Sequence, residues 1–338
     1  MDNTKLLWVI FWSTFVLVSA IDYFVVTHRK TTIGVKSALR WTSLWIAVAL
    51  AFSGAIYVLH PNGKILFLEY LSGYITEYSL SVDNLFVFIL IFSMMGVKDV
   101  AQPKLIKLGI YLSIALRIVF ILFGIALIHR FSWLLYVFGA ILIWTAWKMI
   151  ATESDESVHP DKNLLYRAAA KLFPVHPDPQ ENKRLFARYE GRLFITPFFL
   201  VFVVIGSTDV LFAVDSIPAI MGISQDPFVV LTSNVFAVLG LNSLFFAIRG
   251  VMDMFKFLKH GVSVILLFIG VKMILPGLGK ALTLAGAATV GAKLEGTELW
   301  FKAHTSASLL VIALVLATSI IMSVWYERDV HPGSPTQH

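Results

Sequence analysis

Apolar segments long enough to cross a lipid bilayer follow one another along almost the whole of this 338-residue chain. A helix of about 20 apolar residues spans the ~30 Å hydrocarbon core, and in lipid the backbone has to form its hydrogen bonds within the helix. The pattern therefore predicts an all-α polytopic membrane protein with about nine transmembrane helices. The predicted spans are residues 6–27, 41–59, 67–95, 105–128, 133–150, 196–221, 228–248, 261–276 and 304–326.

The composition limits the chemistry that such a chain can perform. Charged residues make up 14% of the sequence, against about 25% in soluble domains, so little of the chain is left for a soluble domain. The absence of cysteine excludes disulfides, thiolate metal sites and cysteine nucleophiles. The net charge of +6 fits Lys and Arg gathered in cytoplasmic loops, so we expect membrane lipid, and not nucleic acid, as a partner.

The loops predict how the chain is oriented. Eighteen Lys and Arg residues fall in one set of loops and six in the opposite set, so the positive-inside rule places the N-terminus outside and the C-terminus in the cytoplasm. The longest polar segment, residues 151–195, then becomes a cytoplasmic linker, with a short amphipathic helix expected around residues 164–173. We expect no cleavable signal, because the first apolar run is as long as a full span.

An acidic pattern occurs twice, at residues 76–84 and 208–216, each time inside a predicted span. Each copy has threonine, a carboxylate, five further residues ending in valine, and then aspartate followed by an amide or hydroxyl side chain. An ionised carboxylate in the middle of a membrane helix costs at least ~2.5–3.5 kcal/mol, so a cation is its natural partner. The candidate ligands are Glu77, Asp83 and Asn84 in the first copy and Asp209, Asp215 and Ser216 in the second.

These side chains offer oxygen ligands. Carboxylates, an amide, hydroxyls and backbone carbonyls suit hard cations such as Mg²⁺, Ca²⁺ or Mn²⁺, whereas softer metals prefer histidine and cysteine. We expect the cation to be a transported or bound ion, with no prosthetic group and no catalytic residue. A proton relay through the same carboxylates fits the pattern equally well. Supporting or proton-path candidates are Asp22, Glu69, Arg117 and Asn234.

The repetition extends beyond the acids. Phe131 is followed seventeen residues later by a Lys-Met-Ile triplet at 148–150, and Phe255 by the same triplet at 272–274. Helices 3–5 thus resemble helices 6–8, and an odd number of helices in each unit makes the second unit run in the opposite direction, as in many secondary transporters. The segments are an N-terminal helix pair, the first repeat, the linker, the second repeat, and an extracytoplasmic loop with the last helix and tail: 1–66, 67–150, 151–195, 196–276 and 277–338.

Helical geometry leaves two arrangements open for the acids. Residues six positions apart differ by about 120° around a straight helix, so the two carboxylates of one copy would not face one point. Either the helices unwind near residues 79–81 and 212–214, or Asp83 and Asp215 meet across the repeat axis while Glu77 and Asp209 form an outer shell. The second arrangement is the one we favour.

Other functions have to be weighed against cation transport. The acids could have a purely structural role, neutralised by protonation or paired with a buried base such as Arg117. An intramembrane aspartyl protease also uses two membrane aspartates, but no Gly-x-Gly-Asp motif precedes Asp83 or Asp215. The remaining alternatives are a Ca²⁺/H⁺ exchanger, an exporter of small organic solutes, and a metal-sensing or assembly partner of the secretion machinery that binds Mn²⁺ without moving it.

The chain resembles the TerC family of integral membrane proteins, and within it the Alx-type members, over almost its whole length. The residues that carry the resemblance are those of both acidic copies and the segments around them: 20–22, 77–88, 209–219, 226–234 and 268–273. The resemblance implies a fold of inverted three-helix repeats, as in LysE-like transporters, and a bacterial cytoplasmic (inner) membrane location. It also implies export of Mn²⁺ from the cytoplasm, manganese homeostasis, and supply of metal to exported metal-dependent enzymes as partners.

One position departs from the family pattern. Members commonly carry a glutamate three residues before the first aspartate of the second copy, and this chain has Gly206 there. The missing carboxylate would lie one turn before Asp209 on roughly the same face. Its loss is expected to weaken metal affinity, to alter proton coupling, or to be compensated by another acid such as Glu69 or Asp22.

Overall fold

The structure is a computed structural model, and it describes residues 3–28, 34–98, 101–151, 163–175, 184–189, 192–249, 257–285, 287–303 and 305–330. Within these residues the chain forms twelve α-helices and one antiparallel pair of strands. The helices are α1 (Asn3–His28), α2 (Val35–Leu59), α3 (Gly63–Met94), α4 (Gln102–Arg130), α5 (Leu134–Ala151), α6 (Leu164–Leu172), α7 (Pro197–Ile223), α8 (Pro227–Leu239), α9 (Leu241–Arg249), α10 (Leu258–Leu284), α11 (Ala288–Ala303) and α12 (Thr305–Val330). The strands are β1 (Phe186–Tyr189) and β2 (Arg192–Ile195).

The number of membrane-spanning helices agrees with the sequence prediction. Eight helices, namely α1 to α5, α7, α10 and α12, are long and apolar enough to cross a bilayer. The shorter helices α8 and α9 pass the same test together and are bent by 43° at Gly240, where α8 ends. The prediction of an all-α polytopic membrane protein with about nine spans is therefore confirmed.

Helix directions indicate that the bent pair crosses the membrane once. Helices α4 and α7 are parallel, because Gly109 lies beside Ile205 and Gly124 beside Met221. Helices α5 and α10 are antiparallel, because Gly277 lies beside Tyr136 whereas Gly270 lies beside Ile143. Successive spans cross the membrane in opposite directions. The parallel pair α4 and α7 and the antiparallel pair α5 and α10 are therefore both possible only if α8 and α9 together cross the bilayer once between α7 and α10.

A close crossing joins α5 and α10. A Cβ atom added to Gly139 would lie 2.9 Å from the Gly270 carbonyl oxygen, and one added to Gly270 would lie 2.8 Å from the Gly139 carbonyl oxygen. Small residues allow this approach of two backbones, which is how membrane helices gain packing energy where lipid supplies no hydrophobic drive. The third helices of the two predicted repeats therefore pack directly on each other, while the inverted relation between the repeats stays a prediction.

The central helices form the most enclosed part of the molecule. Helix α3 packs against both α7 and α8, and α4 packs against the same two helices. Every residue of α8 from Phe228 to Leu239 is buried, including the polar side chains of Thr232, Ser233 and Asn234. Polar groups placed in this apolar interior need partners, because an unpaired one costs free energy.

The polar segments contain more regular structure than the loops we expected. The amphipathic helix predicted around residues 164–173 is α6, capped by the Asn163 side chain, which accepts hydrogen bonds from the backbone N–H groups of Leu165 and Tyr166. Strands β1 and β2 pair with Phe186 opposite Ile195 and Tyr189 opposite Arg192. The Gly191 that separates the two short apolar runs was the sequence signal for this hairpin.

The segment after the eighth predicted span is also largely helical. Helix α10 continues to Leu284, beyond the predicted end at residue 276, and α11 follows it. Pro276 lies inside α10. A proline removes one backbone donor, and flanking turns or neighbouring helices can hold such a helix together. The segment between residues 277 and 303 is thus helical over most of its length, and its place on the extracytoplasmic side stays a prediction.

Candidate functional site

Both acidic copies lie on unbroken helices. Helix α3 runs through the first copy and α7 through the second, including Pro218. The arrangement in which the helices unwind near residues 79–81 and 212–214 is therefore wrong. Pro218 disfavours the helical conformation of the residue before it and removes one backbone hydrogen bond. Helix α7 nevertheless continues through it, packed against α3, α4 and α5.

Glu77 lies at the centre of a buried hydrogen-bond network. Its Oε1 atom accepts from Nη1 of Arg117 on α4 and, at 3.2 Å, from the Ser81 hydroxyl one turn later on α3. Its Oε2 atom accepts from Nδ2 of Asn234 on α8 at 2.9 Å. Arg117 also donates to Oδ1 of Asn234 and, through Nε, to the Ser113 hydroxyl, both at 3.3 Å. Three helices thus meet around one ion pair.

This ion pair is almost completely removed from solvent. The side chain of Arg117 is 3% exposed and that of Glu77 1% exposed. A buried ion pair is costly to form, and removing one partner leaves a charge whose desolvation is no longer offset. Apolar side chains would pack these helices together at a lower free-energy cost than a buried ion pair. The pair therefore points to a role beyond packing.

Asp209, on α7, interacts electrostatically with the same arginine. Its carboxylate is 6% exposed and is within electrostatic range of the Arg117 guanidinium. Its Oδ2 atom is buried and makes no hydrogen bond to any residue that the structure describes. We call Glu77, Arg117, Asp209 and Asn234 the Arg117 cluster. The cluster draws one residue from each of α3, α4, α7 and α8.

Asp215 has different neighbours from Asp209. Its Oδ1 atom accepts a hydrogen bond from the Thr145 hydroxyl on α5 at 2.7 Å, and it is within electrostatic range of Lys148. Ser216, the next residue, is 2% exposed, and its hydroxyl is buried with no hydrogen-bond partner in the described part of the chain. The second acidic copy therefore contacts the first repeat through α5 as well as α4.

The remaining ligand candidates are less well defined. Asn84 is buried on α3. Asp83 and Asp22 lie in the described helices α3 and α1, but their side chains are outside the described residues. The meeting of Asp83 with Asp215 across the repeat axis consequently stays a prediction.

Glu69 belongs to a separate group of polar residues. Its Oε2 atom accepts from the Ser224 hydroxyl at 2.5 Å, and the carboxylate is within electrostatic range of Asp226 and Lys272. Ser224 follows the end of α7, so this group lies at the junction between α7 and α8. Glu69 is engaged there by Ser224, and compensation by Glu69 or Asp22 for the glutamate that the resemblance implies at Gly206 stays a prediction. A Cβ atom on Gly206 would lie 2.7 Å from Cδ2 of Leu112, so the glycine faces α4.

No ready-made metal cage is present among the side chains described. Within that part of the chain, no three or more His, Asp or Glu residues lie together in a way that would hold a metal ion. What the structure does assemble is a pair of carboxylates, Glu77 and Asp209, that share one arginine. Both oxygens of Glu77 accept hydrogen bonds, whereas Oδ2 of Asp209 is buried and accepts none from the described residues.

Sequence reasoning missed three of the contacting side chains. Thr145, Ser113 and Ser81 each donate or accept within the groups described above. Ser113 and Ser81 lie one helical turn from Arg117 and Glu77, so the four-residue spacing was a usable signal. Thr145 precedes Lys148 by three residues on one helix face, but its contact with Asp215 depends on how α5 packs on α7.

Comparison with known protein families gives one match, to the model described as the integral membrane protein TerC family, over residues 62–331. The matched region includes every member of the Arg117 cluster. It covers about four fifths of the chain and begins just before α3, so α1 and α2 lie outside it.

Several curated proteins are similar over most of their length. The Salmonella typhi protein Alx, named as a candidate membrane-bound redox modulator, is 40% identical over 280 residues, covering 81% of this chain and 86% of its own. The uncharacterised Myxococcus xanthus membrane protein STKORF319 is 38% identical, covering 79% and 82%. The chloroplastic thylakoid membrane protein TERC of Arabidopsis thaliana is 37% identical, covering 86% and 69%. No solved structure matches the chain.

Proposed function

The chain belongs to the TerC family of integral membrane proteins, and from that premise we propose that it exports a divalent cation, Mn²⁺ in particular, across a bacterial cytoplasmic membrane. The observation that carries the proposal is the buried Oδ2 atom of Asp209, which lacks a partner among the described residues. A carboxylate oxygen kept open inside a membrane bundle is suited to receive a cation.

The oxygen chemistry supports a hard cation. Glu77 and Asp209 supply carboxylates, Asn234 an amide oxygen and Ser216 a buried hydroxyl. Such groups bind Mg²⁺, Ca²⁺ and Mn²⁺, and the 338 residues contain no cysteine for a softer metal. The absence of cysteine also means that any redox modulation of the kind named for the Salmonella relative would not use thiols of this chain.

The helix arrangement supports a moving carrier. The Arg117 cluster lies where α3 and α4, from one predicted repeat, meet α7 and α8, from the other. In transporters built from two repeats, the site lies at the repeat interface and access alternates as one repeat rocks against the other. Asp215 and Asp83 would then bind the cation at another point of its path, since Asp215 contacts α5 through Thr145.

Flux into proteoliposomes tests the proposal. We expect purified protein to carry Mn²⁺ into vesicles that contain a metal-sensitive dye, and we expect Asp209→Asn, Asp83→Asn and Asp215→Asn to lose that flux. Glu295→Gln, on α11 and remote from the cluster in sequence, is the matched control and should transport normally. Equal flux in the wild type and all three aspartate variants would overturn the proposal.

The same experiment separates transport from binding alone. A wild-type protein that binds Mn²⁺ in detergent but gives no flux would instead be a metal-binding sensor or an assembly partner. Competition by Ca²⁺, Mg²⁺ and Zn²⁺ in the binding assay would establish which cation the oxygen ligands prefer.

A further inference from the structure

Arg117 occupies the position from which a metal ion would bind Glu77. Both oxygens of Glu77 already accept hydrogen bonds, Oε1 from Arg117 and Ser81 and Oε2 from Asn234. A cation coordinated through Oε1 of Glu77 must therefore displace one of its donors, because two donors already occupy that oxygen. Arg117 is the donor that carries a positive charge, so it is the one that an incoming cation repels.

Charge balance in the cluster leads to the same conclusion. When Glu77 and Asp209 are both ionised, they carry two negative charges against one positive charge on Arg117, which leaves a single negative charge among these three buried groups. A divalent cation added beside the arginine would make the net charge of this apolar interior positive. A divalent cation that replaces the arginine would instead neutralise the two carboxylates. Because uncompensated buried charge is strongly unfavourable, replacement is the preferred outcome.

We propose that Arg117 is a tethered counter-cation: it compensates one of the two negative charges of Glu77 and Asp209 when no metal is bound, and the transported divalent cation takes its place. The proposal rests on the proposed function and adds a specificity-determining residue to it. A monovalent ion would gain less from this exchange, because displacing the arginine would leave one carboxylate uncompensated.

The contacts of Arg117 are suited to such an exchange. Its hydrogen bonds to the Ser113 hydroxyl and to Oδ1 of Asn234 are both 3.3 Å long, which is near the weak end of the range for N–H···O bonds. Ser113 is on the same helix as Arg117, so its hydrogen bond does not tie the guanidinium to Glu77 or Asp209, and the side chain can carry its charge away from the two carboxylates. An unbranched side chain reaches another position by rotating about its own bonds, and the helices need not separate.

The exchange has a consequence for turnover. A carrier whose carboxylates are neutralised by an internal cation can return empty without carrying a buried net charge of two. The internal cation also lowers the apparent metal affinity, because metal binding has to break the Arg117–Glu77 pair, and it helps to expel the ion after access has switched. Loss of the arginine charge should therefore tighten binding and slow transport.

Mn²⁺ binding to the purified full-length chain tests this inference. We expect Arg117→Gln to bind Mn²⁺ at least about tenfold more tightly than the wild type, which corresponds to about 1.4 kcal/mol. Arg117→Lys keeps the charge and should bind within about threefold of the wild type. Arg130→Gln removes the same charge from the exposed end of the same helix and is the matched control. Binding that is equal to or weaker than wild type in Arg117→Gln, with Arg130→Gln unchanged, would overturn the inference.

A second measurement tests the inference if the Arg117→Gln variant does not fold. If Arg117→Gln unfolds because Glu77 has lost its counter-charge, Mn²⁺ should replace that charge, so folded protein should be recovered when purification buffers contain Mn²⁺. Arg130→Gln should show no such dependence. An Arg117→Gln protein that stays unfolded in Mn²⁺ would assign the arginine a purely structural role and overturn the inference.

The cysteine-free chain allows a test of charge alone. In an Arg117→Cys variant the introduced thiol is the single reactive one in the 338 residues. Modification with an aminoethyl methanethiosulfonate restores a cation and should weaken Mn²⁺ binding again, whereas a neutral methyl methanethiosulfonate should not. Equal binding after both modifications would contradict the inference.

The outcomes distinguish this inference from the proposed function. If the wild type binds and transports Mn²⁺ but Arg117→Gln does not bind it more tightly, the transporter proposal stands and the counter-cation role falls. If neither the wild type nor Arg117→Gln binds Mn²⁺, both fall. If Arg117→Gln binds Mn²⁺ more tightly than the wild type and carries less flux, the counter-cation role is supported.

Discussion

The two acidic copies have almost the same sequence pattern but different surroundings. In the first copy, Glu77 has every carboxylate oxygen engaged by donors from α3, α4 and α8. In the second copy, Asp209 is nearly as buried, but its Oδ2 atom has no partner within the described structure. The difference arises because Arg117, on α4, forms its ion pair with Glu77 of the first copy.

The comparison shows how a duplicated pattern can acquire two roles. Glu77 forms the ion pair with Arg117, and under the proposed function Oδ2 of Asp209 is the oxygen that would accept the cation. Two equivalent carboxylates around a single arginine cannot both be fully compensated, because one positive charge faces two negative ones. The difference between Glu77 and Asp209 therefore follows from the presence of one arginine for two carboxylates.

The largest effect is expected for Glu77→Gln. This change leaves the buried guanidinium without its closest carboxylate, and breaking a buried ion pair costs about 3–5 kcal/mol. We expect a marked loss of thermal stability together with loss of Mn²⁺ flux. Thermal unfolding in detergent and proteoliposome flux measure the two effects, with Glu295→Gln as control. A variant as stable as the wild type would contradict the view that the first copy carries the counter-charge.

Asp209→Asn should separate function from stability. Because Oδ2 has no hydrogen-bond partner in the described structure, loss of this charge should change the free energy of unfolding by less than about 1 kcal/mol. Mn²⁺ affinity should still fall at least about tenfold, or about 1.4 kcal/mol. Calorimetric titration and thermal unfolding of the same preparation provide both numbers. If stability fell as far as in Glu77→Gln, the two copies would be equivalent.

A smaller effect is expected for Thr145→Val. The substitution preserves shape and removes the donor to Oδ1 of Asp215, a hydrogen bond to a charged group that is partly accessible to solvent. We expect a loss of about 1 kcal/mol in Mn²⁺ affinity or transport, roughly a fivefold change. Thr318→Val is a matched control, because the Thr318 hydroxyl bonds to its own helix. No difference between the two variants would show that Thr145 does not position Asp215.

The smallest effect is expected for Gly206→Glu, which introduces the acid that relatives commonly carry. The new side chain would meet the flexible end of Leu112, so we expect it to be accommodated. A third carboxylate near Asp209 should raise Mn²⁺ affinity by about threefold, or about 0.65 kcal/mol, which is a small part of the few kcal/mol that a carboxylate in direct contact contributes at an effective dielectric constant of about 20. Gly206→Gln controls for size. Equal affinities in both variants would place residue 206 outside the metal path.

Particular residues show which spans and contacts could be predicted from the sequence. The apolar runs predicted the spans, and the acidic copies predicted buried carboxylates on α3 and α7. The four-residue spacing of Glu77 and Ser81 was readable, because residues one turn apart share a helix face. The contact of Glu77 with Asn234 was not readable, because it joins residues 157 positions apart through the packing of α3 on α8. The less favoured of the two arrangements, unwinding near residues 212–214, was wrong, because α7 is helical through these residues and through Pro218.

The sequence by itself determined that this chain lies in a membrane, how many times it crosses, and which acids are placed in apolar helices. Bilayer thickness and the hydrogen-bonding needs of the backbone act on each segment separately, so these properties can be deduced from local sequence. Only the tertiary structure decided which acid received the arginine. That choice depends on the rotation and depth at which α4 packs between α3 and α7, and a linear pattern does not contain either quantity.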